Sequence, residues 1–98
     1  MYIVRDIFHL KFGMFRDAFA SIQLASKQGL LISTEVNVLS DFTGDSYRLI
    51  LETNYPSLAE YEHFLTQGMK DPKWQEFYQV FKTYIQSSHR EIMKRHII

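Results

Sequence analysis

Polar and apolar residues alternate from Tyr2 to Phe12. Tyr2, Val4, Asp6, Phe8, Leu10 and Phe12 fall on one side, and Ile3, Arg5, Ile7, His9 and Lys11 on the other. A period of two is that of a strand, so the segment is predicted as a strand with one largely apolar and one mixed face. Gly13 interrupts it, and Phe15, Ala18, Phe19, Ile22 and Ala25 then recur at helical spacing. That spacing predicts a first helix from about Met14 to Gln28, closed by Gly29, which can take the left-handed conformation that ends many helices.

Alternation returns from Ser33 to Asp41, with Thr34, Val36, Val38 and Ser40 opposite Glu35, Asn37 and Leu39. Asp41 to Asp45 has the composition of a tight turn. A third strand is predicted from Ser46 to Tyr55, placing Tyr47, Leu49, Leu51, Thr53 and Tyr55 against Arg48, Ile50, Glu52 and Asn54, so that the two strands make an antiparallel hairpin. Ser57, followed at the right distance by Glu60, is a capping-box signature and opens a helix bearing Leu58, Tyr61, Phe64, Leu65 and Met69. Gly68 interrupts that helix. Asp71 as N-cap and Pro72 in the first helical position restart it, with Trp74, Phe77, Tyr78, Phe81 and Ile85 along one side. A weaker alternation from His89 to Ile97 predicts a last, edge-like or intermolecular strand.

The order β-α-β-β-α-β predicts one α+β domain over residues 1–98, a four-stranded antiparallel sheet with its helices on one face. The other face then carries Arg5, Ile7, His9, Glu35, Asn37, Arg48, Ile50 and Glu52, too apolar to prefer water and too charged for a dry core. Opposite charges on neighbouring strands can pair, and a second copy of the same face would cover the apolar gaps. A homodimer with its sheets face to face is the expectation, against the alternative of a solvated outer face.

Composition strengthens that expectation. A domain of 98 residues buries only about two thirds of its unfolded surface, and a chain 46% apolar and 15% aromatic has more rings than so small a monomer easily hides. The excess calls for a partner surface or a lined pocket. Eleven basic and eleven acidic residues cancel, which argues against nucleic acid and anionic membranes as partners. The absence of cysteine removes disulfides, thiolate nucleophiles and cysteine metal sites, and fits a reducing compartment. With no signal-peptide pattern and no apolar run of spanning length, a cytoplasmic protein is expected.

Three short stretches carry a resemblance: Lys11-Phe12-Gly13 leading to Phe15 and Phe19, the Asp71-Pro72-Lys73-Trp74 restart, and Ser88-His89-Arg90-Glu91-Ile92. Through these and its element order the chain resembles, over nearly its whole length, the dimeric α/β barrel superfamily of ferredoxin-like proteins, which includes antibiotic-biosynthesis-type monooxygenases and NIPSNAP-like proteins. The resemblance implies two sheets closing a barrel across a dimer, with a pocket in each subunit between helices and sheet. It also implies a choice of functions: cofactor-free oxygenation, isomerisation, haem degradation, or binding and assembly without a reaction. Haem-degrading members use an Asn on an early strand and a His after a helix Trp. Here strand one has no Asn and His63 precedes Trp74, so that pattern is not met.

Within such a pocket Asp6 is the most informative polar residue, because alternation puts its carboxylate on the apolar face. It is either a general base or substrate-orienting acid, or the partner of a basic side chain or helix end. Trp74, Phe77 and Phe81, with Tyr61 and Tyr47, are candidate ligand walls, and equally candidate core. His63 is a candidate proton carrier, beside Glu60 and Glu62 that suit a solvated surface. The histidines at 9, 63, 89 and 96 have no metal-ligand spacing, and the glycines at 13, 29, 44 and 68 form no phosphate-binding loop. Neither metal nor cofactor is expected. Any catalysis implied by the resemblance is cofactor-independent oxygenation or proton transfer, with Asp6 or His63 moving the proton.

Overall fold

The computed structural model describes residues 1–31, 36–45 and 47–98. Its elements are β1 (Tyr2–Leu10), α1 (Phe15–Lys27), β2 (Val36–Ser40), β3 (Arg48–Tyr55), α2 (Leu58–Gln67), α3 (Pro72–Phe81) and β4 (Ile85–Lys94). The strands form one antiparallel sheet in the order β2-β3-β1-β4, which puts the first strand at its centre. This is the ferredoxin-like arrangement, with the helices packed on one face. Glu35, assigned above to the outer face, lies outside the described residues.

Element ends depart from the alternation where the backbone turns. β1 stops at Leu10 because Lys11–Met14 folds back, Met14 N–H donating to the Lys11 carbonyl at 3.1 Å with Gly13 at φ +81°. Phe12 therefore leaves the apolar face and is 87% exposed. β3 starts at Arg48, since Tyr47 takes φ +64° and drops out of the alternation; Ser46, where the strand was expected to begin, lies outside the described residues. Asp41 holds this hairpin, its carboxylate accepting from the Arg48 guanidinium at 2.8 Å and from the Arg48 backbone at 3.3 Å.

The helix signals are read correctly. Ser57 Oγ accepts from Glu60 N–H at 3.2 Å, and Asp71 Oδ1 from Lys73 N–H at 2.9 Å, so each half of the interrupted helix has its own cap. A 3-10 turn at Gly68–Lys70 separates them. α3 ends at Phe81, four residues short of the sequence expectation. A 3-10 turn over Lys82–Tyr84 follows, the Tyr84 carbonyl accepts from Lys11 N–H at 2.9 Å, and Ile85 becomes the first residue of β4. β4 is an edge strand, paired with β1 along its length.

The core between helices and sheet is built from Leu10, Ala18, Ile22, Leu49, Leu51 and Phe81. Ala18, Ile22 and Ala25 supply the inward stripe of α1. The Phe81 ring is only 1% exposed and meets Phe8 edge to face at 5.0 Å. On the opposite face Arg5 and Glu52, cross-strand neighbours, pair at 2.7 Å, and His9 stacks on His89 at 5.7 Å. Ile7, between these pairs, is 3% exposed within a single subunit. Truncating the central ring tests this picture: Phe81→Ala is expected to lower unfolding free energy by about 3–5 kcal/mol in urea denaturation, the range for a buried ring that leaves a cavity.

Candidate functional site

Alternation along β1 turns Asp6 toward the helices, and register sets it directly across from Arg90 of β4. Arg90 Nε donates to Asp6 Oδ1 at 2.5 Å, so the inward carboxylate has its cation on the neighbouring strand. The guanidinium also lies 5.6 Å from the centre of the Tyr61 ring on α2, within cation-π range. The helix interruption then brings Trp74, in the first turn of α3, against Phe64 of α2 at 5.6 Å, edge to face. Between these groups and the sheet is a cavity of about 50 Å³, lined also by Val4, Leu51, Thr53 and Tyr55.

Two donors at this cavity have no partner. The Tyr61 hydroxyl and Trp74 Nε1 are buried and make no hydrogen bond, and the whole of Tyr61 is only 7% exposed. A buried donor left unsatisfied costs about 1–3 kcal/mol, so two of them at one cavity is an expensive arrangement for structure alone. Burial pushes the Tyr61 phenol above its ordinary pKa despite the nearby Arg90 charge. Burial, followed by the Tyr61 and Asp6 charges, pushes Tyr55 up to about 12. Both phenols are therefore protonated at neutral pH, and Tyr61 can donate.

The rings form a continuous series through the domain. Tyr61 meets Tyr55 at 5.1 Å, Tyr55 meets Phe64 at 6.5 Å, Trp74 meets Phe77 at 5.4 Å, and Phe77 stacks on Phe81 at 5.2 Å. Of the sequence candidates, Asp6, Tyr61 and Trp74 thus meet at one cavity, while Phe77 and Phe81 stand behind Trp74 as successive layers of core. His63 is exposed on α2 and does not line the cavity. Tyr47 is elsewhere: its positive φ sends it to a surface groove of about 380 Å³ under the hairpin loop, with Phe15, Asp41, Phe42 and Arg48, where its ring meets Phe12 at 5.2 Å. The polar pair of that groove, Asp41 and Arg48, is already satisfied internally.

Arg90 and Phe64 were not singled out from sequence as site residues. The signal for Arg90 was its place beside Ile92 on one side of the last strand, which puts a cation on the inner face where Asp6 needs one. No cluster of metal-ligating side chains occurs among the described residues, and no described helix is long and apolar enough to cross a membrane.

The NIPSNAP family model matches residues 9–96 of the chain. Among solved structures, protein Atu4242 from Agrobacterium tumefaciens superposes with a TM-score of 0.88 at 17% identity, covering 98% of this chain and 94% of its own. An uncharacterized NIPSNAP domain protein from Burkholderia xenovorans gives 0.88 at 11% identity, with 98% and 95% covered. A putative antibiotic biosynthesis monooxygenase from Nitrosomonas europaea gives 0.73 at 10% identity, with 97% and 98% covered. No curated protein sequence matches the chain. At these identities the structural likeness establishes the fold.

The raised Tyr55 pKa makes a prediction about alkaline stability. In the unfolded chain the phenol ionises near its ordinary value of 10.0, while in the folded protein it stays neutral to about 12. Its contribution is therefore complete below pH 10 and is lost as pH rises through that window. Urea midpoints measured from pH 9 to 12 are expected to fall less steeply in Tyr55→Phe than in the unsubstituted protein.

Proposed function

Because the chain belongs to the NIPSNAP family, we propose that it acts as a cytoplasmic homodimer that binds a small, largely apolar or aromatic metabolite between the helices and sheet of each subunit. One observation carries the reading: the Asp6–Arg90 pair and two unpartnered buried donors converge on a cavity whose other walls are rings and aliphatic side chains. Apolar walls with a few convergent polar groups are the ordinary make-up of a small-molecule site. The mixed outer face, with Arg5, His9, Arg48, Ile50 and Glu52 around the buried Ile7, is the surface assigned to the partner.

Turnover, on this reading, is cofactor-independent oxygenation or proton transfer at an activated carbon acid; two structures of like fold are described as antibiotic biosynthesis monooxygenases. Asp6 is the proton-moving candidate at the cavity and would exchange its bond with Arg90 for one to substrate. His63, exposed on α2, does not line the cavity, so the role is proposed for Asp6 there. A second reading, binding or assembly without turnover, is favoured by the cavity's small volume, about 50 Å³, with rings occupying the space around it.

Native mass spectrometry of the purified protein is expected to give a dimer that carries a small organic molecule in each subunit. A bare monomer at micromolar concentration overturns the reading. Ile50→Glu places a charge at the centre of the assigned interface, and is expected to yield monomer by sedimentation while circular dichroism keeps its sheet and helix signal.

A further inference from the structure

The geometry points to an oxygen acceptor as the group this pocket recognises: a carbonyl or carboxylate oxygen on an apolar ligand, held by hydrogen bonds from the Tyr61 hydroxyl and Trp74 Nε1. The inference deepens the small-molecule reading of the same pocket and rests on it.

The donor set carries the argument. An indole nitrogen only donates, and the Tyr61 phenol, kept protonated by burial, donates as readily. Both atoms are buried and unpartnered at one cavity, and the guanidinium of Arg90 stands over the Tyr61 ring. The carboxylate of Asp6 is the strongest acceptor among the described lining residues, and Arg90 Nε already engages it. What these two donors lack is an acceptor within reach, since neither the Asp6 carboxylate nor the Thr53 and Tyr55 oxygens at the same cavity bond to them, and an sp² oxygen with two lone pairs can take both at once.

Volume and charge narrow the class. A cavity of about 50 Å³ has the room of one or two water molecules, so it takes the oxygen-bearing head, against apolar walls that include Val4, Leu51 and Phe64. Asp6 offsets the charge of Arg90. The pocket therefore makes no demand for a formal negative charge, and a neutral carbonyl is expected to bind at least as well as a carboxylate. An ordered water could satisfy the same donors, and the experiment separates that case.

The chain has one tryptophan, so its ¹H–¹⁵N correlation spectrum contains a single indole resonance, that of Trp74. The protein is titrated with acetophenone, benzoate and toluene, which share a ring and differ in the oxygen. Acetophenone is expected to move the indole proton downfield with saturation, and to bind about tenfold tighter than toluene, the ratio for one to two net hydrogen bonds. Benzoate is expected to match or fall below acetophenone. In Tyr61→Phe, with its amide spectrum otherwise unchanged, acetophenone is expected to weaken about fivefold or more while toluene does not change.

If toluene binds as tightly as acetophenone and Tyr61→Phe alters neither, the acceptor inference is overturned while the apolar pocket stands. Water then satisfies the donors. If benzoate alone binds, the pocket selects charge and the carbonyl assignment is wrong. If none of the three shows saturation, the acceptor inference and the small-molecule reading both fall.

Discussion

A slip of β1 by one residue against its neighbours would carry Asp6 to the outer face and Ile7 to the inner one, because side chains alternate along a strand. Everything described above depends on that slip not occurring. At the observed register Asp6 sits across from Leu51 on one side and Arg90 on the other. The inward carboxylate, 24% exposed, is held by a cation that reaches it from the next strand. Val4 and Leu10, both buried, fix the same register through packing. The polar pair and the apolar core thus select one alignment for different reasons.

A bulge lets both conditions hold at once. Pairing between β1 and β4 shifts between His9, opposite Ser87, and Leu10, opposite Ile85, so that Gln86 is the extra residue. Without it, Gln86 would face Leu10 on the inner side and Ile85 would turn outward. With it, Ile85 packs against the core beside Phe81's cluster while Arg90, five residues on, still meets Asp6. The 3-10 turn that shortens α3 serves the same end, bringing the chain to Lys11, just past the end of β1, early enough for a ten-residue strand.

How far sequence reveals such a molecule depends on which interactions are local. Caps are local, and Ser57 and Asp71 did what their types and spacing indicate. Alternation is local too, and it placed Asp6 inside. Tyr47 and Phe12 defeated it because a single left-handed residue or a tight turn resets which way the next side chain points, and neither Tyr at positive φ nor an exposed Phe is favoured by its own chemistry. The division of the aromatic stripe was also hidden: Trp74, Phe77 and Phe81 share one side of α3, yet only the first reaches the cavity, because depth along that side is set by where α3 crosses the sheet. Arg90 became legible only through a partner 84 residues away in sequence.

The two faces of β1 are coupled by register and separated by direction. Arg5 and Ile7 point toward the outer face, where Arg5 is held by Glu52, and Asp6 between them points to the cavity. A substitution that preserves strand pairing can therefore disturb one face without touching the side chains of the other. One that breaks pairing must disturb both. A chain of 98 residues can thereby place the proposed association surface and the proposed recognition site on a single strand. The helices cover one side of the sheet and leave the other uncovered, and the central strand supplies side chains to each in turn. In a domain this small the two proposed tasks fall on opposite parities of that one strand.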